Sequence, residues 1–266
     1  MLDRRRAAAA DPRSGLWGRP AGFPPSASGG EERKQPVLLI VHQEHSCPGH
    51  VANWFAAHGY PIDLRRPRYG DPLPESLSGH VGAVIFGGPQ SANDPDDYIR
   101  TETAWLDVPL KEAKPFLGIC LGAQMLANQL GARVGFDPDG YAEIGFYPVR
   151  PTAEGRAMAD WPGQFYQWHR EGFDLPSGAV LLAEGERFPN QAFRYGPAAF
   201  AVQFHPEITQ RLVCRWTTRA AHRMVLPGAR PRPLHLAGHL EHGPGQRRWL
   251  DGFLSRWVRL GANAGG

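Results

Sequence analysis

Phe116-Leu117-Gly118-Ile119-Cys120-Leu121-Gly122-Ala123-Gln124 is the stretch from which the rest of the chain can be read. A short apolar run passes without a linker into a helix-forming segment, so a buried strand turns directly into a helix. Cys120 stands at the corner, with a glycine two residues to either side. A turn this tight forces strained backbone on its corner residue, and Gly118 and Gly122 remove the side chains that would collide there. This is a nucleophile elbow with sulfur in place of hydroxyl. It lifts the thiol above the C-terminal end of the strand, at the positive end of a helix, which favours thiolate over thiol. The N–H of Leu121 points where an oxyanion would form. The ordinary alternative, a buried core cysteine, stands for Cys47 and Cys214, which lack the glycine frame.

The same logic extends in both directions. Val37-Leu38-Leu39-Ile40-Val41 is a continuous apolar, β-branched run, as a strand buried on both faces requires. Gly49–His58 follows with Val51, Trp54 and Phe55 at helical spacing. Pro61–Leu64 reads as a short strand, Val81–Phe86 as a buried one, and Asp97–Lys111 as a single helix. The helix after Cys120 ends near Gly131. Strand and helix alternating over short links predict an α/β fold with an open, largely parallel, flavodoxin-like sheet covered by helices on both faces. Beyond it, Gly145–Val149, Gln164–Trp168, Val180–Ala183, Gln191–Tyr195 and Ala199–Phe204 predict an antiparallel or mixed extension. Helices over Ile208–Met224 and Gly245–Leu260 close the chain. Trp249, Leu250, Phe253, Leu254, Trp257 and Val258 form one stripe of the second.

Composition sets the outer limits. The chain has 266 residues, 42% hydrophobic, with a net charge of +3, which suits a globular domain with a sizeable core. The charge is unevenly divided. Residues 1–35 carry seven Lys/Arg and four Asp/Glu, residues 36–214 thirteen and twenty, and residues 215–266 nine and two. A uniformly basic nucleic-acid binder is therefore excluded. Three cysteines without a CxxC pair make neither a disulfide scaffold nor a thiolate metal site. No apolar run reaches the length of a membrane span, and a reducing cytoplasm is the expected location. The first 35 residues, with Arg4-Arg5-Arg6, an alanine run and a Gly/Pro/Ser-rich stretch, read as a disordered leader outside the fold. Residues 36–266 read as one domain with a helical extension from about residue 210. The arginines of that extension either lie in water beside apolar stripes or face an acidic partner, a second copy of the chain included.

A thiolate nucleophile needs a base and a group that orients it. Ala201-Val202-Gln203-Phe204-His205-Pro206-Glu207 supplies both. A strand delivers His205 at its C-terminal end, the side of an α/β sheet where ligand sites form. Pro206 keeps the segment extended, so His205 and Glu207 face the same way. Glu207 can then hold one imidazole nitrogen while the other faces Cys120. A third segment, Phe86-Gly87-Gly88-Pro89-Gln90-Ser91, ends a buried strand in two glycines, whose backbone N–H groups a ligand can approach closely.

These three segments together resemble the class I, triad-type glutamine amidotransferases, above all the glutaminase domain of GMP synthase and its stand-alone relatives. The resemblance runs from about Val37 to Thr209. It implies Cys120 as nucleophile, His205 as base and Glu207 as its orienter, with the N–H groups of Gly88 and Leu121 as oxyanion hole. It implies Gln124, Gly87 and Gly88 as contacts to the glutamine moiety. Trp168-His169-Arg170-Glu171 is similar to a His-containing turn near the family's site, but Trp168 replaces the usual small residue, which weakens His169 as a candidate. The implied reaction is acyl transfer: a thioester forms on Cys120, ammonia departs, and water hydrolyses the thioester. No cofactor or metal is expected.

Three other readings are weighed. In the hydrolase fold, which shares the G-x-C-x-G turn, acid and histidine come from separate loops, unlike His205-x-Glu207. A dinucleotide-binding fold fails because Val41-His42-Gln43-Glu44 stands where G-x-G-x-x-G would follow the first strand. A catalytically silent binding module would have a blocked or misplaced triad, yet all three positions carry competent side chains. The residues after Thr209 are too few for an ATP-using synthase, and no G-x-x-x-x-G-K-[ST] loop occurs. The expectation is thus a stand-alone enzyme on glutamine or a γ-glutamyl derivative, or a glutaminase subunit that feeds ammonia to a separate synthase.

Overall fold

The computed structural model describes residues 34–262, so residues 1–33 of the expected leader lie outside the described residues. Four strands carry the first half: β1 (Val37–Ile40), β2 (Ile62–Arg65), β3 (Gly82–Ile85) and β4 (Phe116–Ile119). The helices α1 (Gly49–Ala57), α2 (Asp97–Trp105), α3 (Asp107–Lys111) and α4 (Leu121–Gln129) alternate with them. The second half runs through β5 (Val134–Phe136), β6 (Glu143–Pro148), β7 (Arg150–Pro151), α5 (Ala153–Met158), β8 (Gln164–His169) and β9 (Glu171–Phe173). It continues through β10 (Val180–Glu184), β11 (Asn190–Tyr195), β12 (Ala199–Val202), α6 (Gln210–Arg219), a 3-10 turn over Ala221–Val225, and α7 (Arg232–Ala262).

The main sheet has eight strands in the order β2-β1-β3-β4-β12-β11-β10-β7. β2, β1, β3, β4 and β12 are parallel, and β11, β10 and β7 continue the sheet antiparallel. The fold is therefore α/β and flavodoxin-like with an antiparallel extension. The pairs β5–β9 and β6–β8 are antiparallel and stand apart from the main sheet.

Strand alternation divides the core. Val37 and Leu39 of β1 face one cluster with Trp54 and Phe55 of α1 and Trp249, Phe253 and Trp257 of α7. Leu38 and Ile40 face another with Ile99, Trp105, Leu126 and Phe116. A strand buried on both faces needs the apolar run that the sequence shows. α7 is thus a core element rather than an appendage, and a Cβ on Gly82 would lie 2.5 Å from the Trp257 ring.

Three helices differ from the sequence reading. The expected helix over Ile208–Met224 is α6, Gln210–Arg219, which ends where Ala220 leaves helical geometry and is followed by the 3-10 turn over Ala221–Val225. The expected single helix over Asp97–Lys111 is broken at Leu106, between α2 and α3. Pro109 explains the break: proline removes an N–H and its ring collides with the carbonyl four residues back, which is that of Trp105. The last helix begins at Arg232, well before Gly245, and carries Pro244 in its interior. Its preceding turn is open to water, with Leu240 72% exposed. Beyond the proline, Gln246 accepts a hydrogen bond from the N–H of Tyr166 at 2.8 Å and donates to the His205 carbonyl at 3.0 Å. Packing fixes this helix across a residue that would otherwise end it.

Candidate active site

The C-terminal ends of β1, β3, β4 and β12 converge, and each delivers one part of the site. Cys120 follows β4 with φ +52°, a left-handed conformation that non-glycine residues rarely hold. Its N–H donates to the Val202 carbonyl at 2.8 Å, which ties the corner to β12. A Cβ on Gly118 would lie 2.5 Å from the Gly122 carbonyl oxygen, and one on Gly122 would lie 2.3 Å from that of Ile85. Both glycines are thus required by close backbone approach, as the sequence predicts. Cys120 is 5% exposed.

His205 follows β12, held by its N–H to the Tyr166 carbonyl at 2.8 Å. Its Nδ1–H donates to Glu207 Oε1 at 2.8 Å, both side chains being buried. Nε2 is buried with no hydrogen-bond partner among the described residues. Cys120 adjoins the imidazole: a Cβ on Gly87 would sit 2.7 Å from His205 Cε1 and 3.3 Å from Cys120 Cβ, so it would touch both. Burial disfavours the imidazolium, but the Glu207 carboxylate and the charge of the Cys120 sulfur outweigh it and push the His205 pKa up to about 10. A cationic imidazole beside sulfur is the charge arrangement of an activated thiolate. The Glu207 carbonyl accepts from the N–H of His50 at 2.8 Å, so the start of α1 fixes the acid's backbone.

The Gly87-Gly88 loop follows β3. Neither the Gly88 N–H nor the Leu121 N–H is donated to another group among the described residues. A Cβ on Gly88 would lie 3.1 Å from Leu121 Cδ2, so the loop packs against the first residue of α4. Free N–H groups beside a thiol can stabilise a tetrahedral oxyanion.

Two predicted contacts sit differently. Gln124 is 3% exposed and donates its amide to the Glu171 carbonyl at 2.9 Å and to Gln203 Oε1 at 3.2 Å. Its amide hydrogens anchor α4 to β9 and leave only its oxygen for a ligand. His169 is buried, with Nδ1 against the Glu171 carbonyl at 2.9 Å and Nε2 against Glu143 Oε2 at 3.1 Å. Gln191 binds the same carboxylate oxygen at 2.9 Å. Both His169 nitrogens are committed, and the site cavity is lined by Trp168 instead.

Sequence reasoning missed three groups. His42, after β1, is fully buried with Nε2 at 2.8 Å from Glu102 Oε2 and Nδ1 at 3.3 Å from the Gly87 carbonyl. Gln246 holds the His205 carbonyl. The Trp216 ring of α6 meets the His205 imidazole edge-on at 4.8 Å between centroids. Above these residues opens a cavity of about 470 Å³, walled by Trp168 and by α6 and the turn that follows it. Among the described residues no group of three or more His, Cys, Asp or Glu side chains could hold a metal ion. The described helices include none long and apolar enough to cross a membrane.

Comparison with known proteins gives this fold and elbow a family. The family model for glutamine amidotransferase class-I matches residues 51–213. The chain belongs to the class I glutamine amidotransferase family. It is 31% identical over 187 residues to the glutamine amidotransferase-like protein YfeJ of Salmonella typhimurium, covering 66% of this chain and 77% of that protein. It is 36% identical to the glutamine-hydrolysing GMP synthase of Porphyromonas gingivalis over 51% of this chain, but only 26% of the synthase. Crystal structures of glutamine amidotransferases from Methylobacillus flagellatus and Thermotoga maritima superpose with TM-scores of 0.79 and 0.76. They are 27% and 30% identical, covering 85% and 84% of this chain and 95% and 98% of theirs.

Proposed function

We propose that the protein is a stand-alone glutamine amidotransferase-like enzyme that hydrolyses the γ-carboxamide of glutamine or of a γ-glutamyl derivative through a thioester on Cys120. The observation that carries this reading is the His205–Glu207 pair at 2.8 Å, with the second imidazole nitrogen left free and the elbow thiol adjoining the ring. The Cys120 sulfur attacks the γ-carbonyl carbon, and the N–H groups of Gly88 and Leu121 hold the oxyanion. The protonated His205 gives its proton to the departing nitrogen as the C–N bond breaks. His205 then takes a proton from the water that attacks the thioester, and glutamate leaves with the thiolate restored. Gln124 completes the acyl site through its amide oxygen.

The helices beyond Thr209 support the stand-alone reading: α6 walls the cavity and α7 fills the core, so both serve the glutaminase domain itself. The match to GMP synthase, confined to a quarter of that enzyme, keeps a second reading, a subunit that passes ammonia to a separate synthase. A silent binding module finds no support in a paired, unblocked triad. The test is mass spectrometry of the protein after brief exposure to glutamine and to γ-glutamyl amides. An acyl adduct on Cys120, absent in Cys120→Ala, is expected, with glutamate released only by the wild type. Equal glutamate release by Cys120→Ala overturns the reading.

A further inference from the structure

The arginine-rich segment after residue 214 reaches into the catalytic cavity. Arg215, Arg219, His222 and Arg223 line it from α6 and the 3-10 turn, opposite His205 and the Gly87-Gly88 loop. Arg215 is engaged, donating to the His45 carbonyl at 2.7 Å. Arg219 and Arg223 make no ion pair and no side-chain hydrogen bond among the described residues. Arg223 is half-buried, and burial and the neighbouring Arg170 guanidinium lower its pKa, while the charge of the Cys120 sulfur opposes this. Like charges are thus gathered near the thiol without a carboxylate between them. Of the two acidic side chains lining the cavity, Glu207 is held by His205, and Glu44 is 74% exposed with His45 at 3.9 Å.

Size points the same way. A cavity of about 470 Å³ has room for about sixteen waters at ~30 Å³ each. Glutamine has about ten non-hydrogen atoms, so space remains once a γ-glutamyl group fills the acyl side. Trp168 and Trp216 line that remaining space with apolar surface. Arg223, half-buried and without an acid, has already given up part of its hydration, so a ligand's anion pairs it at a smaller desolvation cost than a fully exposed guanidinium.

The geometry points to a substrate class within the γ-glutamyl reading, on which this inference rests: N-substituted γ-glutamyl amides whose departing amine carries a carboxylate, received by Arg219 and Arg223. The Cys120 sulfur bonds to the γ-carbonyl carbon, the C–N bond breaks, and the amine leaves with a proton from His205 and its carboxylate intact. Water then splits the thioester.

The test uses the full chain with glutamine and the γ-glutamyl amides of 3-aminopropionate, propylamine and 1,3-diaminopropane. These amides share the acyl part and differ in leaving-group charge. The expected kcat/KM falls from carboxylate to neutral to cationic, by about tenfold or more at the first step. In Arg219→Gln/Arg223→Gln the carboxylate-to-neutral ratio collapses toward one through a raised KM. Arg219→Gln alone, at an exposed position, gives a partial collapse if the double variant does not fold. Equal kcat/KM for the three amides overturns the inference. So does a KM raised in the same proportion for glutamine, which would put the arginines on the shared glutamyl carboxylate. If no amide and no glutamine is turned over, the γ-glutamyl reading itself fails. Calorimetric binding of the three amides to Cys120→Ala then decides the charge preference alone, and equal affinities refute it.

Discussion

Glu207→Gln isolates the part of the site that depends on charge. Glutamine is nearly isosteric and its amide oxygen can still accept from His205 Nδ1–H, so the 2.8 Å contact, and with it the ring orientation, can persist. The carboxylate charge does not. In the wild type, burial works against the imidazolium, and the Glu207 and Cys120 charges together overcome it to bring the pKa from 6.5 to about 10. That rise corresponds to about 5 kcal/mol in favour of the imidazolium. Without Glu207, only the sulfur opposes burial. A fall of two units costs about 3 kcal/mol, or about a hundredfold in the equilibrium constant for holding the proton on His205. The assay is the pH dependence of iodoacetamide alkylation, read at Cys120 by peptide mass spectrometry because Cys47, exposed rather than the core cysteine expected from sequence, reacts as well. The wild type should alkylate at a rate that changes little from neutral pH until His205 deprotonates near 10. In the variant the imidazolium is lost at lower pH, so the change in rate should move about two units below that of the wild type. Stability gives a second check. A histidine whose pKa is raised on folding contributes fully below its unfolded value near 6.5, and that contribution is lost as pH rises through about 10. The wild type should therefore lose more melting temperature than the variant across this window. Superimposable alkylation profiles would refute the reasoning.

Three further substitutions test other parts of the structure. His42→Asn should lower kcat by about tenfold to a hundredfold with little change in KM, because the Gly87 carbonyl that His42 holds and the Gly88 N–H belong to one planar peptide; a raised KM at unchanged kcat counts against this role. Gly122→Ala puts a methyl group 2.3 Å from the Ile85 carbonyl oxygen, so α4 and the Leu121 N–H must shift; a stability loss of about 1–3 kcal/mol in urea is expected together with loss of turnover, and wild-type behaviour in both denies the close approach. Trp257→Ala should destabilise by about 3–5 kcal/mol if α7 is core, whereas a urea midpoint close to wild type would mark that helix as an appendage.

The elbow and the His205–Glu207 pair were legible because their geometry is local. A glycine at either side of Cys120, or an i, i+2 pair set extended by a proline, constrains only a few dihedral angles. His42 and Glu102 lie sixty positions apart and meet only once the sheet and α2 are formed, so no spacing announces them. β5, β7 and β9 have three residues or fewer and show no period. Pro109 did carry its signal, through the carbonyl of Trp105, and a reading of Asp97–Lys111 by apolar period alone passes over it. Pro244 shows the opposite error: Gly243-Pro244-Gly245 reads as a stop, yet Gln246 and the Trp249–Trp257 stripe hold the helix in register with the sheet. His169 was named by likeness of sequence, and its two committed nitrogens turn it toward the Glu143–Gln191 network instead.

The uneven charge of the chain finds its cause in this arrangement. In α7, Arg247 pairs with Asp251 at 2.8 Å and also meets His50 at 2.7 Å, while Arg259 donates to the Ser255 carbonyl at 2.8 Å. Those arginines flank an apolar stripe whose work is packing. In α6 and the turn after it, Arg219 and Arg223 face the cavity without such partners. The basic segment therefore divides by structure into a part that answers to the core and a part that answers to a ligand. In the proposed reaction, attack, oxyanion and proton transfer fall to the ends of β3, β4 and β12, where a shift of an ångström would misplace the reacting atoms. The cavity wall has no such constraint. Arg219 and Trp168 touch no member of the triad, so specificity among γ-glutamyl compounds should reside in Arg219 and Arg223 and in the cavity wall beside them rather than in the triad.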